Sequence, residues 1–354
     1  MDSIISNLLT SQPTGMWEKI IMWIEGGVGS FAVAIIILTL FIKLIMSPID
    51  FFNRRTSRNM AKMQSKIQPQ IEAINKKYAN DQKTKNQKLG ELYSRNKVNP
   101  MGSCVVMLLN LGLTLAIFIT LLNGMNAMAS YKIATQYEQI QASYVHEYAI
   151  DTNQQDKDVV ELIKEINAIE NETQKAEIID VANKNATKTY NETNEKFLWI
   201  KNIWIADNPF KNSIPSFSEY ASVARLSNEQ KQDEELAQIY NQIMDPIRDN
   251  QGSANGYFIL VVICAGVTFL NQWIITKKNK QMQGQNGKSN WVMIIFMTAF
   301  MSFFTLLYTT MFALYMITSQ IISLGLTPLI ELINKKVDEH QEKKSIPSDR
   351  LKRI

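Results

Sequence analysis

The sequence has few of the residues from which enzymes and disulfide-bonded domains build their sites. Its 354 residues include only two cysteines and two histidines. Cys104 and Cys264 both lie inside long apolar stretches, which argues against a disulfide framework or a thiolate metal site. The apolar stretches contain no pair of aspartates, no Ser/His arrangement and no HExxH pattern, and the chain has no glycine-rich phosphate loop. We therefore expect neither an enzyme nor a bound cofactor.

The chain does have five long apolar runs, separated by very polar segments. A run of about 20 apolar residues with almost no charge is typical of a transmembrane helix. Ser47-Pro48 is expected to end the first helix, because proline lacks the N–H that a helix interior needs. We predict an all-α polytopic membrane protein with transmembrane helices at residues 31–48, 101–124, 257–276, 291–308 and 311–334.

The charges of the polar segments predict an orientation. Residues 49–99 carry 12 Lys and Arg against 4 Asp and Glu, and the loop 277–290 carries 4 basic residues and no acidic one. The tail 335–354 carries 7 against 4, whereas residues 125–256 carry 12 against 21. Excess Lys and Arg mark the cytoplasmic side of a membrane protein. We predict that the N-terminus lies outside and the C-terminus in the cytoplasm.

The cytoplasmic segment 49–99 has two apolar stripes at spacings of three and four, on either side of a turn at Asn80-Asp81. The first comprises Met60, Met63, Ile67, Ile71, Ile74 and Tyr78, and the second Leu89, Leu92 and Tyr93. Such spacing predicts amphipathic helices, here an antiparallel helical hairpin with a basic outer face. Contact of that face with anionic lipid is the simpler interpretation, and it is compatible with a further role.

Two segments are predicted to lie outside. Residues 1–30 form an N-terminal tail, in which residues 16–25 mix Trp and Ile with charges as a short interfacial helix does. An early start of the first transmembrane helix is the alternative. Residues 125–256 form a helical outer domain with two or three surface helices, and residues 197–210 return to the membrane interface through their tryptophans.

Each predicted transmembrane helix carries polar residues on one face, because positions four apart lie above one another. On the first helix this face holds Thr39, Ser47 and one charged residue, Lys43. Hydrogen bonds between helices would explain any single stripe, and Lys43 could extend to the headgroups. Five stripes with one lysine favour a shared polar groove instead. Its other members are Asn110, Thr114, Thr268, Gln272, Ser302 and Gln320.

Several stretches resemble the YidC/Oxa/Alb family of membrane insertases. KLIMSPIDFF, KMQSKIQPQIEAINKKYANDQ and ELYSRNKVNPMGSC look like that family's first core helix, cytoplasmic hairpin and entry into the second helix. The resemblance implies a five-helix core with a groove open to the cytoplasm and to lipid. The family's basic residue, normally arginine, lies five positions before the proline and corresponds to Lys43. Its polar residue in the second helix corresponds to Asn110.

The resemblance also implies a location, the bacterial plasma membrane, and a function. We expect a membrane insertase and chaperone whose partners are nascent membrane proteins, the ribosome and the lipid bilayer, with no specific nucleic acid. Whether it acts beside the Sec translocon stays open. The alternatives are an assembly factor that docks subunits through the outer domain and a polar-groove transporter. The chain has neither an internal repeat nor charges in several helices, which argues against the transporter.

Overall fold

The computed structural model describes residues 13–96, 100–283 and 287–345, and this part of the chain is all-α. Two isolated bridges, Phe197 with Ile200 and Asn212 with Ala254, are the β-structure recorded among the described residues. The predicted all-α fold class is confirmed. The helices are α1 (Met16–Val28), α2 (Phe31–Lys77), α3 (Gln82–Arg95), α4 (Pro100–Asp151), α5 (Val159–Asn167), α6 (Glu172–Thr193), α7 (Phe217–Val223), α8 (Asn228–Lys231), α9 (Glu234–Gln251), α10 (Ile259–Gln283), α11 (Gly287–Leu307) and α12 (Thr310–Ser345).

All five apolar runs of the sequence lie in helices. Four segments are long and apolar enough to cross a membrane by length and composition, namely Phe31–Thr56, Gly112–Asp151, Ile259–Lys277 and Thr310–His340. Trp291–Leu307 is a shorter apolar helix. The chain is thus an all-α polytopic membrane protein.

The first long helix does not end at Ser47-Pro48, as the sequence had predicted. α2 runs unbroken from Phe31 to Lys77 with Pro48 inside it. Proline removes the N–H that would otherwise bond to the carbonyl four residues earlier, here that of Leu44. The Ser47 hydroxyl donates a hydrogen bond to this carbonyl at 2.9 Å. The carbonyl therefore keeps a partner, which explains why the helix continues.

The predicted helical hairpin is formed by the end of α2 and by α3. Asp81 precedes α3 and accepts a hydrogen bond from the Thr84 N–H at 3.0 Å, which caps the helix. Ile67, Ile71 and Leu92 are buried between the two helices. The partly buried residues that pack against them also belong to the two predicted stripes: Met63, Ile74, Leu89 and Tyr93. The end of the predicted hairpin, residues 97–99, lies outside the described residues.

The chain divides into two compact units. The first unit comprises the residues up to Leu38, Thr120–Cys264 and Ser302–Met316. The second unit comprises Thr39–Ile119, Ala265–Met301 and the residues from Ile317 onwards. The five helices α2, α4, α10, α11 and α12 each contribute to both units.

The first unit is organised around the second half of α4. This helix continues to Asp151 without a break at residue 124, where the sequence had placed the end of the second transmembrane helix. Tyr137 on α4 packs against Tyr220 and Tyr240, with ring centroids 5.0 and 4.8 Å away. Five helices, α5 to α9, follow before residue 256, where the sequence had suggested two or three.

α1 is a separate helix, and not an early start of α2. Gly29 ends it in the left-handed conformation, with φ 71°, and donates its N–H to the Glu25 carbonyl at 2.7 Å. Ile21 and Ile24 are buried, whereas Trp23 is 81% exposed. A position of α1 at the membrane interface stays a prediction.

Residues 202–207, here called the anchor segment, are buried and hold the start of a long helix. Asp207 is fully buried, and its carboxylate accepts hydrogen bonds from the backbone N–H groups of Tyr257, Phe258 and Leu260 at 2.8, 3.2 and 2.7 Å. The first turn of a helix leaves such donors without partners. Asp207 therefore acts as the cap of α10, from 50 residues away.

Trp204 belongs to this anchor segment and corrects another prediction. It is 2% exposed and packs edge-on against Phe31, with ring centroids 5.2 Å apart. The prediction that the tryptophans of residues 197–210 return to the membrane interface is therefore wrong for Trp204, which is a core residue. Nothing in the spacing of the sequence separates a core tryptophan from an interfacial one, since both lie among apolar neighbours.

Candidate functional site

The candidate site is the polar face of α2 in the second unit. Thr39 is buried at 1% exposure, while Lys43 and Ser47 are half-buried. Because α2 continues past Pro48, the same face gains Asp50 and Arg54 at spacings of three and four. These two charged residues are additions that the sequence analysis missed, since it ended the helix at the proline.

Lys43 is the first of two cations along this face. Two charged side chains of opposite sign, Asp50 and Arg54, interact electrostatically with the Lys43 ammonium group. Its neighbours Leu44 and Ile45 are 50% and 73% exposed. Such exposed apolar side chains on a transmembrane helix are suited to lipid. Lys43 thus lies on a helix with one polar and one apolar side.

Ser47 has a structural task on the same face. Its hydroxyl donates to the Leu44 carbonyl, as described above. A serine hydroxyl that has donated its proton still has lone pairs with which to accept a hydrogen bond. The predicted role of Ser47 as a groove residue is therefore compatible with its bond to the helix backbone.

Arg54 connects α2 to the last long helix. Its guanidinium Nη2 donates a hydrogen bond to the Thr327 hydroxyl at 2.9 Å. Thr327 is 2% exposed and donates its own proton to the Ser323 carbonyl at 2.6 Å. A neutral hydroxyl accepts a hydrogen bond without neutralising the positive charge. Arg54 is thus a cation held in place by an uncharged partner.

Two amides join α10 and α12. Asn271 Nδ2 donates to Gln320 Oε1 at 2.7 Å. Gln320 is one of the predicted groove residues, and Asn271 lies beside the predicted polar face of its helix. The alternative left open by the sequence, a hydrogen bond between helices, is what the structure shows for this pair.

The remaining predicted residues have different environments. Thr268 on α10 is buried at 1% exposure, and Gln272 on the same helix is half-buried. Thr114 on α4 is exposed. Ser302 is half-buried and belongs to the first unit, whereas the other predicted residues belong to the second. Asn110 lies in α4, and its side chain lies outside the described part of the chain.

The chemistry of this face is that of binding. α2 carries two cations, one carboxylate and several neutral polar groups, and α10 and α12 carry amides and hydroxyls. Within the described ranges, no three His, Cys, Asp or Glu side chains are placed to hold a metal ion. The arrangement can attract a negative charge and accept or donate hydrogen bonds next to a lipid-facing surface.

The fold and this face define a class, namely an all-α polytopic membrane protein with a helical hairpin and a cationic polar face on its first long helix. The comparison with protein families is consistent with that class. The family model described as 60Kd inner membrane protein matches residues 23–339. The chain belongs to this family.

Similar proteins in three bacteria carry the name membrane protein insertase YidC. The protein of Fusobacterium nucleatum is 41% identical over 97 residues, which is 27% of this chain and 45% of that protein. The protein of Oleidesulfovibrio alaskensis is 40% identical over 96 residues, 27% of this chain and 17% of that protein. The protein of Lawsonia intracellularis is 37% identical over 124 residues, 35% of this chain and 21% of that protein. The chain therefore spans less than half the length of each of these relatives.

Proposed function

We propose that this protein inserts nascent membrane proteins into the lipid bilayer and assists their folding there. The observation that carries the proposal is Lys43, a half-buried cation on the polar face of a membrane-spanning helix. An ionisable residue inside such a helix is costly and usually functional. The family, and the names of the three relatives, support the same activity.

The mechanism is partitioning aided by electrostatics. Thr39, Lys43 and Ser47, with the polar residues of the other helices, form a hydrated groove that opens to the cytoplasm and to lipid. Bringing one charge to the centre of a membrane helix costs about 2.5–3.5 kcal/mol on insertion scales. A groove that keeps the substrate's polar tail hydrated removes part of that cost, and Lys43 attracts the acidic residues of the tail.

The partners follow from this mechanism. The substrate's apolar helix leaves the groove sideways and enters lipid, so partitioning supplies the driving force and no cofactor is required. The basic hairpin of α2 and α3 is suited to the ribosome, the emerging chain or anionic headgroups. Action beside the Sec translocon is compatible with the groove and does not follow from it.

The proposed orientation places the hairpin in the cytoplasm and the segment between α4 and α10 outside. Single cysteines test it in a background with Cys104→Ser and Cys264→Ser. We expect a cysteine in residues 80–88 to be shielded from an impermeant reagent added outside the cell, and one in residues 151–157 to be labelled. The reverse pattern would invert the topology.

The proposed role of Lys43 is tested with two substrates that differ only in whether their translocated tails are acidic or neutral. Lys43→Arg should be tolerated, because it keeps the charge. Lys43→Ala should impair the acidic tail more than the neutral one, and Lys43→Glu should be worst. Lys184→Ala is the matched control, since that lysine is 72% exposed and its ion pair with Asp180 joins positions four apart on one helix.

Equal insertion of acidic and neutral tails by Lys43→Ala, at matched protein levels, contradicts the groove-charge role. A small loss that ignores the charge of the tail would instead identify Lys43 as a lysine that extends to the headgroups.

A second candidate function is an assembly factor that docks membrane-protein subunits. Phe210 and Leu198, in the irregular part of the first unit, are 88% and 74% exposed. Exposed apolar side chains mark a contact surface where they form a contiguous patch. Paired Phe210→Ser and Leu198→Ser changes should then reduce subunit assembly while leaving membrane insertion intact. The insertase proposal predicts that the paired changes alter neither subunit assembly nor membrane insertion.

A further inference from the structure

The polar face of α2 ends in a second cation. Lys43, Asp50 and Arg54 follow one another at spacings of seven and four, so they lie on one side of the helix. Lys43 and Arg54 are separated by eleven residues, about 16 Å along a helix that rises roughly 1.5 Å per residue. The face therefore carries two cations, and the second one lies on the hairpin side of Lys43.

Arg54 is positioned and still has free binding capacity. Thr327 accepts one hydrogen bond from its Nη2 atom, and Thr327 is itself oriented by its bond to Ser323. A guanidinium carries five N–H donors and binds a carboxylate through two of them at once. Among the described residues, no carboxylate forms an ion pair with Arg54. The Nη2 atom of the guanidinium is thus bound to Thr327, and its other N–H groups are available to bind a carboxylate.

Of the charged residues next to Arg54 on α2, one lies on the same face of the helix and one on a different side. Asp50 precedes it by one turn on the same face and carries the opposite charge. Arg55 follows it and points to another side of the helix, since successive residues are about 100° apart, and it has an interaction of its own. Lys43, Asp50 and Arg54 together leave the polar face with one net positive charge.

We propose that Arg54 is a second substrate-binding residue, which receives acidic side chains of the translocated tail before they reach Lys43. Thr327 acts as its positioning residue. The inference rests on the proposed insertase function and adds to it a specificity for tails with acidic residues. The two cations would bind the tail in sequence, first at the hairpin side and then within the groove.

The test uses the full-length protein in membranes and the same pair of acidic and neutral tails. Arg54→Gln should lower insertion of the acidic tail about fivefold, the loss expected of one partly exposed ion pair, and leave the neutral tail within about twofold. Arg54→Lys should retain most of the preference for acidic tails. Thr327→Val removes the group that accepts the hydrogen bond from Arg54. This variant should lower insertion of the acidic tail by a smaller factor than Arg54→Gln does.

Arg55→Gln is the matched control, because it removes one positive charge from the same turn on a different side of the helix. It should affect both tails alike. If Arg54→Gln reduces both tails equally, or if Arg55→Gln produces the same preference, Arg54 only links two helices and the inference is overturned.

Failure of this inference can be told apart from failure of the proposed function. Charge-dependent insertion that Lys43→Ala abolishes and Arg54→Gln leaves intact overturns the role of Arg54 alone. If neither variant changes the response to tail charge, the electrostatic part of the insertase proposal falls as well. Proteolysis of the hairpin, unchanged in Arg54→Gln, verifies that the variant is folded.

Discussion

Around the anchor segment of the first unit, buried polar side chains make several hydrogen bonds each, whereas the charged side chains on α2 of the second unit are half-buried beside exposed apolar ones. Asn255 is fully buried, accepts from the Asn202 N–H and donates to the Asn202 and Ala206 carbonyls. Lys43 and Arg54 are half-buried, and Leu44 beside Lys43 is 50% exposed. A buried network of this kind rigidifies the segment that carries it, while half-buried charged side chains can exchange partners. The difference is the one expected between a scaffold and the proposed binding surface.

The anchor segment shows what the first unit does for the long helices. Asp207 bonds to the first turn of α10, and the Ile205 carbonyl accepts from the Thr310 N–H and hydroxyl at 3.0 and 2.7 Å, at the start of α12. The first turns of two long helices are thus hydrogen-bonded to the same short segment, through one carboxylate and one backbone carbonyl. We expect changes here to be more damaging than changes of equal size in the second unit.

The largest effect is expected from Asp207→Ala. It leaves three backbone N–H groups without an acceptor, one of them buried and two partly buried, and hydrogen bonds to a charged group contribute about 1.5–3 kcal/mol each. We expect the free energy of unfolding of the first unit to fall by about 3 kcal/mol or more. Because Cys264 is buried on α10, its labelling by a small thiol reagent in a Cys104→Ser background should then be roughly a hundredfold faster.

Two further variants are compared with Asp207→Ala in that measurement, one expected to have no effect and one expected to have the same effect. Asp180→Ala, on an exposed ion pair of α6, should leave the labelling rate unchanged. Gly256→Ala should act like Asp207→Ala, since a methyl group at Gly256 would collide with the Asp207 carboxylate. Wild-type labelling rates in Asp207→Ala would show that the anchor segment does not hold α10.

A smaller effect is expected from Ile67→Asp in the hairpin. Ile67 is 3% exposed in a small apolar cluster, and burying an unpaired charge destabilises by about 2–3 kcal/mol. The hairpin has few further contacts to absorb this loss, so its two helices should separate. Faster proteolysis within residues 49–96, together with reduced insertion, is the expected result.

Gln70→Asp introduces the same charge three residues away at an exposed position, and it should leave proteolysis and insertion unchanged. Normal insertion by a stably expressed Ile67→Asp protein with a cleaved or open hairpin would show that hairpin pairing is dispensable.

The smallest effect is expected from Asn271→Leu in the second unit. It removes the hydrogen bonds that the Asn271 amide donates to the side chain and the backbone carbonyl of Gln320, at 2.7 and 3.5 Å, and such bonds between membrane helices average about 0.6 kcal/mol. The double change Asn271→Leu with Gln320→Leu should cost no more, because no polar group is then left unpaired. Unfolding in detergent, compared with Asp207→Ala, measures both.

A cost for Asn271→Leu as large as that for Asp207→Ala would remove the distinction between the two units. The polar residues of the second unit would then be a structural network like that of the first, and the binding role of the polar face would lose its physical basis.

The helical hairpin shows where sequence reasoning succeeds. Ile67, Ile71 and Leu92 follow a spacing of three and four that only one helical face can satisfy, and each is buried as predicted. The pattern is local and each helix buries a single stripe, so periodicity determines which residues meet.

The polar face shows where sequence reasoning fails. Ser47-Pro48 is a sound local indicator of a helix end, and the compensating hydrogen bond from Ser47 to Leu44 made it wrong. Asp50 and Arg54 were missed in consequence. Gln320 was predicted as a groove residue, but its partner Asn271 lies 49 residues away on another helix, and no spacing predicts such a pairing.

The amino-acid order alone determined the helical class, the apolar runs, the hairpin and the position of Lys43, because all of these depend on hydrophobic periodicity and charge within a few helical turns. Tertiary packing alone brought Asp207 to the first turn of α10, Trp204 against Phe31 and Arg54 to Thr327. Those contacts join residues from 53 to 273 positions apart. Their partners are selected by burial and by unsatisfied hydrogen-bonding groups, which exist only once the helices have packed.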